Sequence, residues 1–561
     1  MSGSHWSLGI SLSHDASAAL CADGRVVVAV ASERLCRRKH GFPPVKRYHF
    51  ELPWDAVCYC LDAAGVGLDD LQRIVLNKAG GAWDWRREDL CRTLPVRQKR
   101  KIVCLQTHHD AHALYAYHAS GWQEATVIVA DRFGSFVPKR GYESESGYRA
   151  EGGCWEKVFA NYLDLPATRY GPFHAEHSLT ALYQIVTLHY GFFQEMDQCG
   201  KTMGWAAYGR PRGELPEWVR VGADFSVDCR GFYEEMIARG VIRTEDLAPL
   251  SFSGHTLARV PRHDYRTRSA ELAAQAQFEV ETAMCQLVRQ LVRQTGVGSV
   301  CAAGGLFHNS ALNGKLLAVE GVERLFVPPA ASDDGNAVGC AYYGCQLDGV
   351  PCRPLSHAFL GRSYSEAEIL RSLERAKLVW QRRDRQRLLA ETAALLAAGS
   401  VLAWFQGGSE FGFRALGHRS ILADPRDPGV RDYINGRVKY REPFRPLAAA
   451  VLAEQVGGWF SPAVELPYMT AVTRSLCPER VPAVTHVDGS SRVQTVAGPG
   501  LFRDLLEHFF RRTGVPLLLN TSFNAPGQPI VETPDDAVHS FLAMRLDHLV
   551  IGPFLIQRPG A

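Results

Sequence analysis

His108 and His112 form the sharpest chemical pattern in the chain. The string His108-His109-Asp110-Ala111-His112 begins a helical stretch, and residues four apart on a helix share a face, so two imidazoles can grip one metal ion. Imidazole suits several metals, and a helical histidine also serves as a hydrogen-bonded core residue. Two acids add to the pair: Asp131 closes an apolar strand, and Asp333 sits in the turn Ser332-Asp333-Asp334-Gly335. Strand ends and the turns beside them are where open sheets present ligands, although aspartate is also an ordinary turn former.

Three further constellations suit anions. Ser13-His14-Asp15-Ala16-Ser17 occupies a tight turn between two strands, and Glu33-Arg34 with Arg37-Arg38-Lys39-His40 follows a third. Backbone amides in such turns cradle phosphate, while the same residues also suit a polar turn with a solvated charged face. Gly304-Gly305-Leu306-Phe307-His308-Asn309 lies between a strand and a helix, compatible with phosphate at a helix N-terminus. The C-terminal third sets Glu410, Arg414, Arg419, Arg426, Lys439, Arg441, Glu442, Arg445, Asp488, Arg492 and Asn520-Thr521-Ser522-Phe523-Asn524 among apolar residues. Guanidinium groups supply forked donors, and hydroxyls and amides fill remaining lone pairs, so the set suits polyphosphate.

The elements that must position these residues alternate. Strands are expected over 7–13, 16–22 and 25–31, a helix over 54–64, a strand over 73–77, a helix over 108–119 and a strand over 125–130. A long helix over 271–295, a strand over 299–303 and a helix from Ser310 repeat this grammar, which is that of an α/β domain. Residues 351–365 are rich in turn formers and without period, which places a linker there. The remainder, with a helix over 385–398 and a strand over 401–406, reads as an α+β lobe. The expected division is 1–355 and 356–561.

Of the 561 residues, 46% are hydrophobic and 22% charged, the composition of a folded globular protein rather than a disordered or fibrous one. The net charge of +3 excludes the global field of a dedicated nucleic-acid binder; the basic run Arg92 to Lys101 is read as a solvated face. No stretch has the ~18 uninterrupted apolar residues of a membrane span, and the N-terminus lacks the pattern of a secretory signal. Fifteen scattered cysteines without a C-x-x-C pair suggest reduced thiols, and the cytoplasm is the expected location.

Taken in order, Ser13 to Ala18, Glu33 to His40, His108 to Ala113, Lys201 to Gly209, Glu410 to Arg426, Asn435 to Pro446, Asp488 to Val496 and Asn520 to Asn524 resemble the O-carbamoyltransferase family of the NodU and CmcH type. The resemblance implies an N-terminal α/β domain of the ASKHA superfamily (TsaD-like, actin-like ATPase) and an α+β YrdC-like C-terminal domain. It implies that the latter makes carbamoyladenylate from carbamoyl phosphate and ATP, with Mg2+, and that the former passes carbamoyl to a small-molecule hydroxyl acceptor. Carried over by motif, Arg414, Lys439, Arg445, Arg492, Asn520 and Ser522 would hold ATP and carbamoyl phosphate. His108, His112, Asp131 and Asp333 would ligate a divalent metal, Fe2+ first, with Mn2+ or Zn2+ as alternatives. His14 and Lys39 would be catalytic, and Gly304, Gly305 and Asn309 would bind carbamoyladenylate in that same pocket.

The chain departs from the family string G-R-x-E-x-G-P-R-A-L-G at Gly408 and Phe413, has Arg132 where glycine is usual, and has Cys199 where glutamate is usual. Other readings are a tRNA threonylcarbamoylation enzyme, disfavoured by the charge, and a non-catalytic nucleotide-binding scaffold. No nucleic-acid or membrane partner is expected, and a homodimer is the default assembly. Trp155, Tyr162, Trp218 and Phe225 serve either an acceptor or core packing.

Overall fold

The computed structural model describes residues 4–41, 52–78, 94, 99–132, 134–137, 139–163, 177–192, 198–240 and 264–560. Two compact units emerge: Met1–Ser13, Cys21–Arg25 and Gly67–Leu355 form the first, and His14–Leu20, Val26–Val66 and Ser356–Ala561 the second. The units are therefore not the two contiguous blocks expected from the sequence. Residues 26–66 pack with residues far along the chain: Ala29 N donates to Leu360 O, Tyr59 Oη to Glu532 Oε1, and Arg37 Nη1 to Ile530 O. Linear order carries no signal of that return.

In the first unit, strands Trp6–Leu12, Arg73–Lys78 and Ile102–Cys104 run parallel, with Ser7 opposite Arg73 and Ile74 opposite Ile102. A second sheet sets Glu124–Ala130 and Arg324–Phe326 parallel to Ser299–Ala303, and extends through the antiparallel strands Gly141–Glu151 and Cys154–Leu163. Strands Trp6–Leu12 and Ser299–Ala303 are buried almost along their whole length, serines included, as in sheets covered on both faces. Helices His108–Ser120 and Asn336–Leu347 pack closely: a Cβ on Gly339 would lie 2.0 Å from the Ala111 carbonyl oxygen. That approach brings the turn before the second helix, which holds Asp333, to the start of the first.

The second unit is a ten-stranded mixed sheet with helices. At its centre, Arg419–Ala423 and Ala448–Leu452 flank Leu517–Ser522 antiparallel, and Ser490–Val496 runs parallel to Ala448–Leu452. Helix Leu501–Thr513 buries Phe502, Leu505, Leu506 and Phe509, spaced along one face, against helix Arg385–Ala397 and the sheet. The α/β and α+β classes are those the sequence predicts. Residues 351–365 contain no helix or strand. Among the described residues, no helix is long and apolar enough to cross a membrane.

Candidate metal centre and anion pocket

Helix His108–Ser120 begins with Thr107, whose side chain accepts the Asp110 N–H and fixes the first turn. The first and second turns then point His108 and His112 to one place, their rings 4.7 Å apart between centroids. Asp131 arrives from the end of strand Glu124–Ala130, and Asp333 from the turn before helix Asn336–Leu347. One ligand atom from each of the four residues lies within 4.8 Å of every other, and all four are buried. His108 Nε2 is 2.9 Å from Asp333 Oδ1 and 3.3 Å from Asp131 Oδ2; His112 Nε2 is 3.6 and 3.7 Å from the same atoms.

The surroundings fit a divalent cation. Burial pulls the His108 pKa down, but the Asp333 and Asp131 carboxylates outweigh it and hold it up at about 10, which marks a concentration of negative charge suited to a cation. His108 Nδ1 lies 3.0 Å from Asn77 Oδ1, a bond that fixes the tautomer leaving Nε2 to coordinate. Asp131 Oδ1 accepts the Arg132 backbone N–H at 2.8 Å, which turns Oδ2 toward the histidines. This bond uses backbone alone, so it survives the arginine at 132. His109 faces elsewhere, bonding Ser146 Oγ at 2.8 Å.

The Gly304 N–H donates to Ala331 O at 2.7 Å, which ties its turn to the segment carrying Asp333. Asn309 is engaged structurally: its Oδ1 caps helix Ser310–Leu316 at Leu312 N, and its amide pairs with Gln277. Trp218 and Phe225 are buried, Phe225 stacking on Phe159 at 4.4 Å, and Trp155 packs on Tyr343; these aromatics pack the unit's interior. Residue 133, and part of the basic run 92–101, lie outside the described residues.

In the second unit, Arg414, Lys439, Arg441, Arg445 and Arg492 converge. Lys439 Nζ donates to Ser522 O and, at 3.2 and 2.7 Å, to Ser522 Oγ and Asn524 Oδ1. Burial lowers its pKa, with Arg441, Lys39 and Arg445 adding repulsion. Arg414 is likewise pulled well down by burial, then by Arg492 and Arg445; Arg492 falls to about 10 by burial and Arg445. Glu442, 3.7 Å from Arg445, is the carboxylate that offsets part of this charge. Asn520 is fully buried, donating to Ala415 O and Gln494 Oε1. Among the described residues, this surplus of cations over acids makes a pocket suited to a polyanion.

Two departures from the family string have local explanations. Phe413 places its ring 4.0 Å from the Arg414 guanidinium, a cation–π platform that proline would not give. A Cβ on Gly408 would sit 2.1 Å from Gly361 O, so no arginine fits there. Glu410, Arg419 and Arg426, grouped with the anion ligands by sequence, are structural. Glu410 Oε1 accepts the Leu416, His418 and Arg419 N–H groups; Arg419 lies under Phe405 and donates to Gln406 O; Arg426 forks onto Asp424.

His14 and Lys39 belong to the second unit, and the four candidate metal ligands to the first. There Asp15 lies between two imidazoles, Oδ2 at 3.2 Å from His14 Nε2 and Oδ1 at 2.7 Å from His40 Nδ1. Sequence reasoning passed over Asp15 and His40 as partners, although S-H-D and K-H flagged them by adjacency to His14 and Lys39.

The first unit thus holds a cluster of candidate metal ligands and the second a cluster of cations. The family described as carbamoyltransferase N-terminus matches residues 85–342, and the family described as carbamoyltransferase C-terminus matches residues 393–558. The chain belongs to the carbamoyltransferase family and is a carbamoyltransferase. It is similar to nodulation protein NolNO of Sinorhizobium fredii, 32% identical over 98% of this chain and 79% of that one. An uncharacterised protein of Synechocystis is 30% identical, covering 97% and 95%; nodulation protein U of Bradyrhizobium diazoefficiens is 27% identical, covering 93% and 92%. Among solved structures, HypF of T. kodakarensis is similar at 13% identity and a TM-score of 0.40, over 62% of this chain and 48% of that one.

Proposed function

We propose that the chain is an ATP-dependent O-carbamoyltransferase that makes carbamoyladenylate from carbamoyl phosphate and ATP, then transfers carbamoyl to a hydroxyl of a small-molecule natural product. The observation that carries this reading is the surplus of cations in the second unit, where Arg414, Arg441, Arg445, Arg492 and Lys439 face Glu442 alone among the neighbouring acids described. Adenylate formation brings several phosphate groups together, and fixed cations stabilise the charge that develops. Water cleaves carbamoyl phosphate to carbamate and phosphate; a carbamate oxygen then bonds to the α-phosphorus of ATP as the bond to pyrophosphate breaks. Arg414, Arg445, Arg492 and Lys439 hold the anions, with Asn520 and Ser522 supporting.

His108, His112, Asp131 and Asp333 would hold the divalent metal, iron(II) in first place, whose charge orients phosphate oxygens and polarises a carbonyl. In transfer, the acceptor oxygen bonds to the carbamoyl carbon, the carbon–oxygen bond to AMP breaks, and His14 takes the acceptor proton. Asp15 supports that assignment, because a carboxylate at 3.2 Å from His14 Nε2 stabilises the imidazolium that forms. The reading places the enzyme in the cytoplasm, acting on a sugar, aminoglycoside, polyketide or alkaloid. The test is to give purified protein carbamoyl phosphate, MgATP and Fe2+ without acceptor: carbamoyladenylate and pyrophosphate support the reading, and the absence of both from folded, metal-loaded protein overturns it.

A further inference from the structure

A second cluster of metal-ligating side chains stands apart from the four residues of the first unit. His14, Asp15 and His40 each offer one ligand atom, and the three atoms lie within 4.8 Å of one another. All three residues belong to the second unit. His14 and Asp15 come from the turn between strands Trp6–Leu12 and Ser17–Ala22, and His40 from the segment after helix Ser32–Cys36. The Ser32 N–H donates to Ala16 O at 2.9 Å, which ties the two segments together.

The backbone that delivers His40 is shaped at some cost. Arg37 adopts φ 59° and His40 φ 62°, left-handed conformations unfavourable for side chains with a Cβ. The His40 N–H donates to Glu33 Oε2 at 3.0 Å, which holds it there. Strain of this kind persists where the surroundings over-determine it, and here it sets the His40 ring 6.0 Å from that of His14, with Asp15 bonded to both.

His14 Nε2 is 3.2 Å from Asp15 Oδ2, and His40 Nδ1 is 2.7 Å from Asp15 Oδ1. A ring nitrogen that close to a carboxylate donates an N–H to it or shares a metal ion with it. Zinc bonds of ~2.0–2.1 Å at a tetrahedral angle set neighbouring ligand atoms roughly 3.3 Å apart, close to the His14–Asp15 separation. Two imidazoles and one carboxylate are the donor set of zinc sites that keep a position open to water. The His14 and His40 side chains are each 31% exposed and Asp15 18%, so an ion can enter from solvent and keep a water ligand. The cluster of the first unit is closed by comparison, with His108 and His112 fully buried.

We propose that His14, Asp15 and His40 form a zinc site, through His14 Nε2, an Asp15 carboxylate oxygen and His40 Nδ1, with water completing the shell. A neutral imidazole has one nitrogen lone pair to give, so zinc on His14 and proton uptake by His14 exclude each other. Zinc at this site therefore inhibits the transfer step. That consequence rests on His14 as the base of the scheme above, whereas the zinc binding itself does not.

Full-length wild type, His40→Gln, Asp15→Asn and His112→Ala, freed of metal by dialysis against chelator, are titrated with Zn2+ in competition with a chromophoric chelator. Wild type and His112→Ala should share a zinc equivalent that His40→Gln and Asp15→Asn lose, its affinity falling by more than the ~10–100-fold that loss of a supporting partner costs. The free cysteines are common to all four proteins, so a difference between the proteins reads the cluster. Diethyl pyrocarbonate labelling, read by peptide mass spectrometry, reports the rings directly: saturating Zn2+ should protect His14 and His40 in wild type and neither in Asp15→Asn. The proposal is overturned if His40→Gln binds as many zinc ions as wild type with affinities within about twofold, or, should that variant not fold, if saturating Zn2+ leaves His14 and His40 of wild type labelled at the zinc-free rate. Protected protein that still transfers carbamoyl to a hydroxyl acceptor at its zinc-free rate would overturn His14 as the base and leave the zinc site standing.

Discussion

The metal-ligand cluster of the first unit brings two carboxylates against two imidazoles, and each charge finds its opposite within 4 Å. Among the described residues, the pocket of the second unit brings Arg414, Arg441, Arg445, Arg492 and Lys439 together with Glu442 as the acid that acts on them, and like charges depress one another. The two sites therefore suit ligands of opposite sign. The carboxylates of the first hold up the His108 pKa and would favour a cation; the second is tied by scaffold bonds such as those of Lys439 to Ser522 and Asn524 and gains stability when an anion binds.

The largest effect that would sharpen this contrast is on metal affinity. Asp333→Ala removes the carboxylate closest to His108 and should lower divalent-metal affinity by more than the ~10–100-fold that loss of a supporting partner costs, and Asn77→Ala should fall within that range. Metal content after dialysis against graded chelator measures both. Equal affinity in wild type and Asp333→Ala would break the assignment of the cluster.

Next in size is the response of the pocket. Arg492→Met removes one of the repelling cations, so the ligand-free protein should melt a few degrees higher than wild type, with the rise caused by pyrophosphate reduced. Scanning calorimetry with and without pyrophosphate reads both; a lower melting temperature for Arg492→Met would mean that its charge is compensated in the empty pocket.

The smallest effect concerns Asp15. Burial raises its pKa, but His14 and His40 outweigh this and hold it below the ordinary carboxylate range. Burial lowers that of His40, but Asp15 outweighs it and holds it up, against repulsion from His14 and with help from Glu33. The Asp15 contribution is present above its unfolded value near ~3.9 and lost as pH falls through its depressed folded value; the His40 contribution is full below ~6.5 and lost as pH rises through its raised one. Denaturant melts should show a gain between about pH 4 and 6.5 that declines above it, and Asp15→Asn should flatten the curve. A curve unchanged by Asp15→Asn contradicts the pairing.

Much of this was legible in the residues. The i, i+4 spacing of His108 and His112 and the strand-end and turn positions of Asp131 and Asp333 follow from local periodicity, and the structure brings the four together. The apolar runs at 125–130 and 299–303 and the stripe of the 271–295 helix reported their elements because each is buried along its length. What stayed hidden depends on approach in space. Nothing in the spacing of His14 and His40 shows that both face Asp15, or that His40 turns left-handed. Arg419 and Arg426 read like anion ligands because sequence cannot tell a guanidinium facing a ligand from one facing a backbone carbonyl or a neighbouring carboxylate. That Asn309 caps helix Ser310–Leu316 was not legible either, because a helix N-cap and an anion site share one residue preference.

In the proposed reaction the two clusters perform separate steps. The most direct measurement is mass spectrometry of carbamoyladenylate and pyrophosphate formed from carbamoyl phosphate and MgATP, without acceptor, by wild type, Lys439→Ala and His112→Ala. Both products are expected from wild type and from His112→Ala, and neither from Lys439→Ala. Adenylate made by Lys439→Ala at the wild-type rate, or lost in a folded His112→Ala protein, would contradict this division of steps.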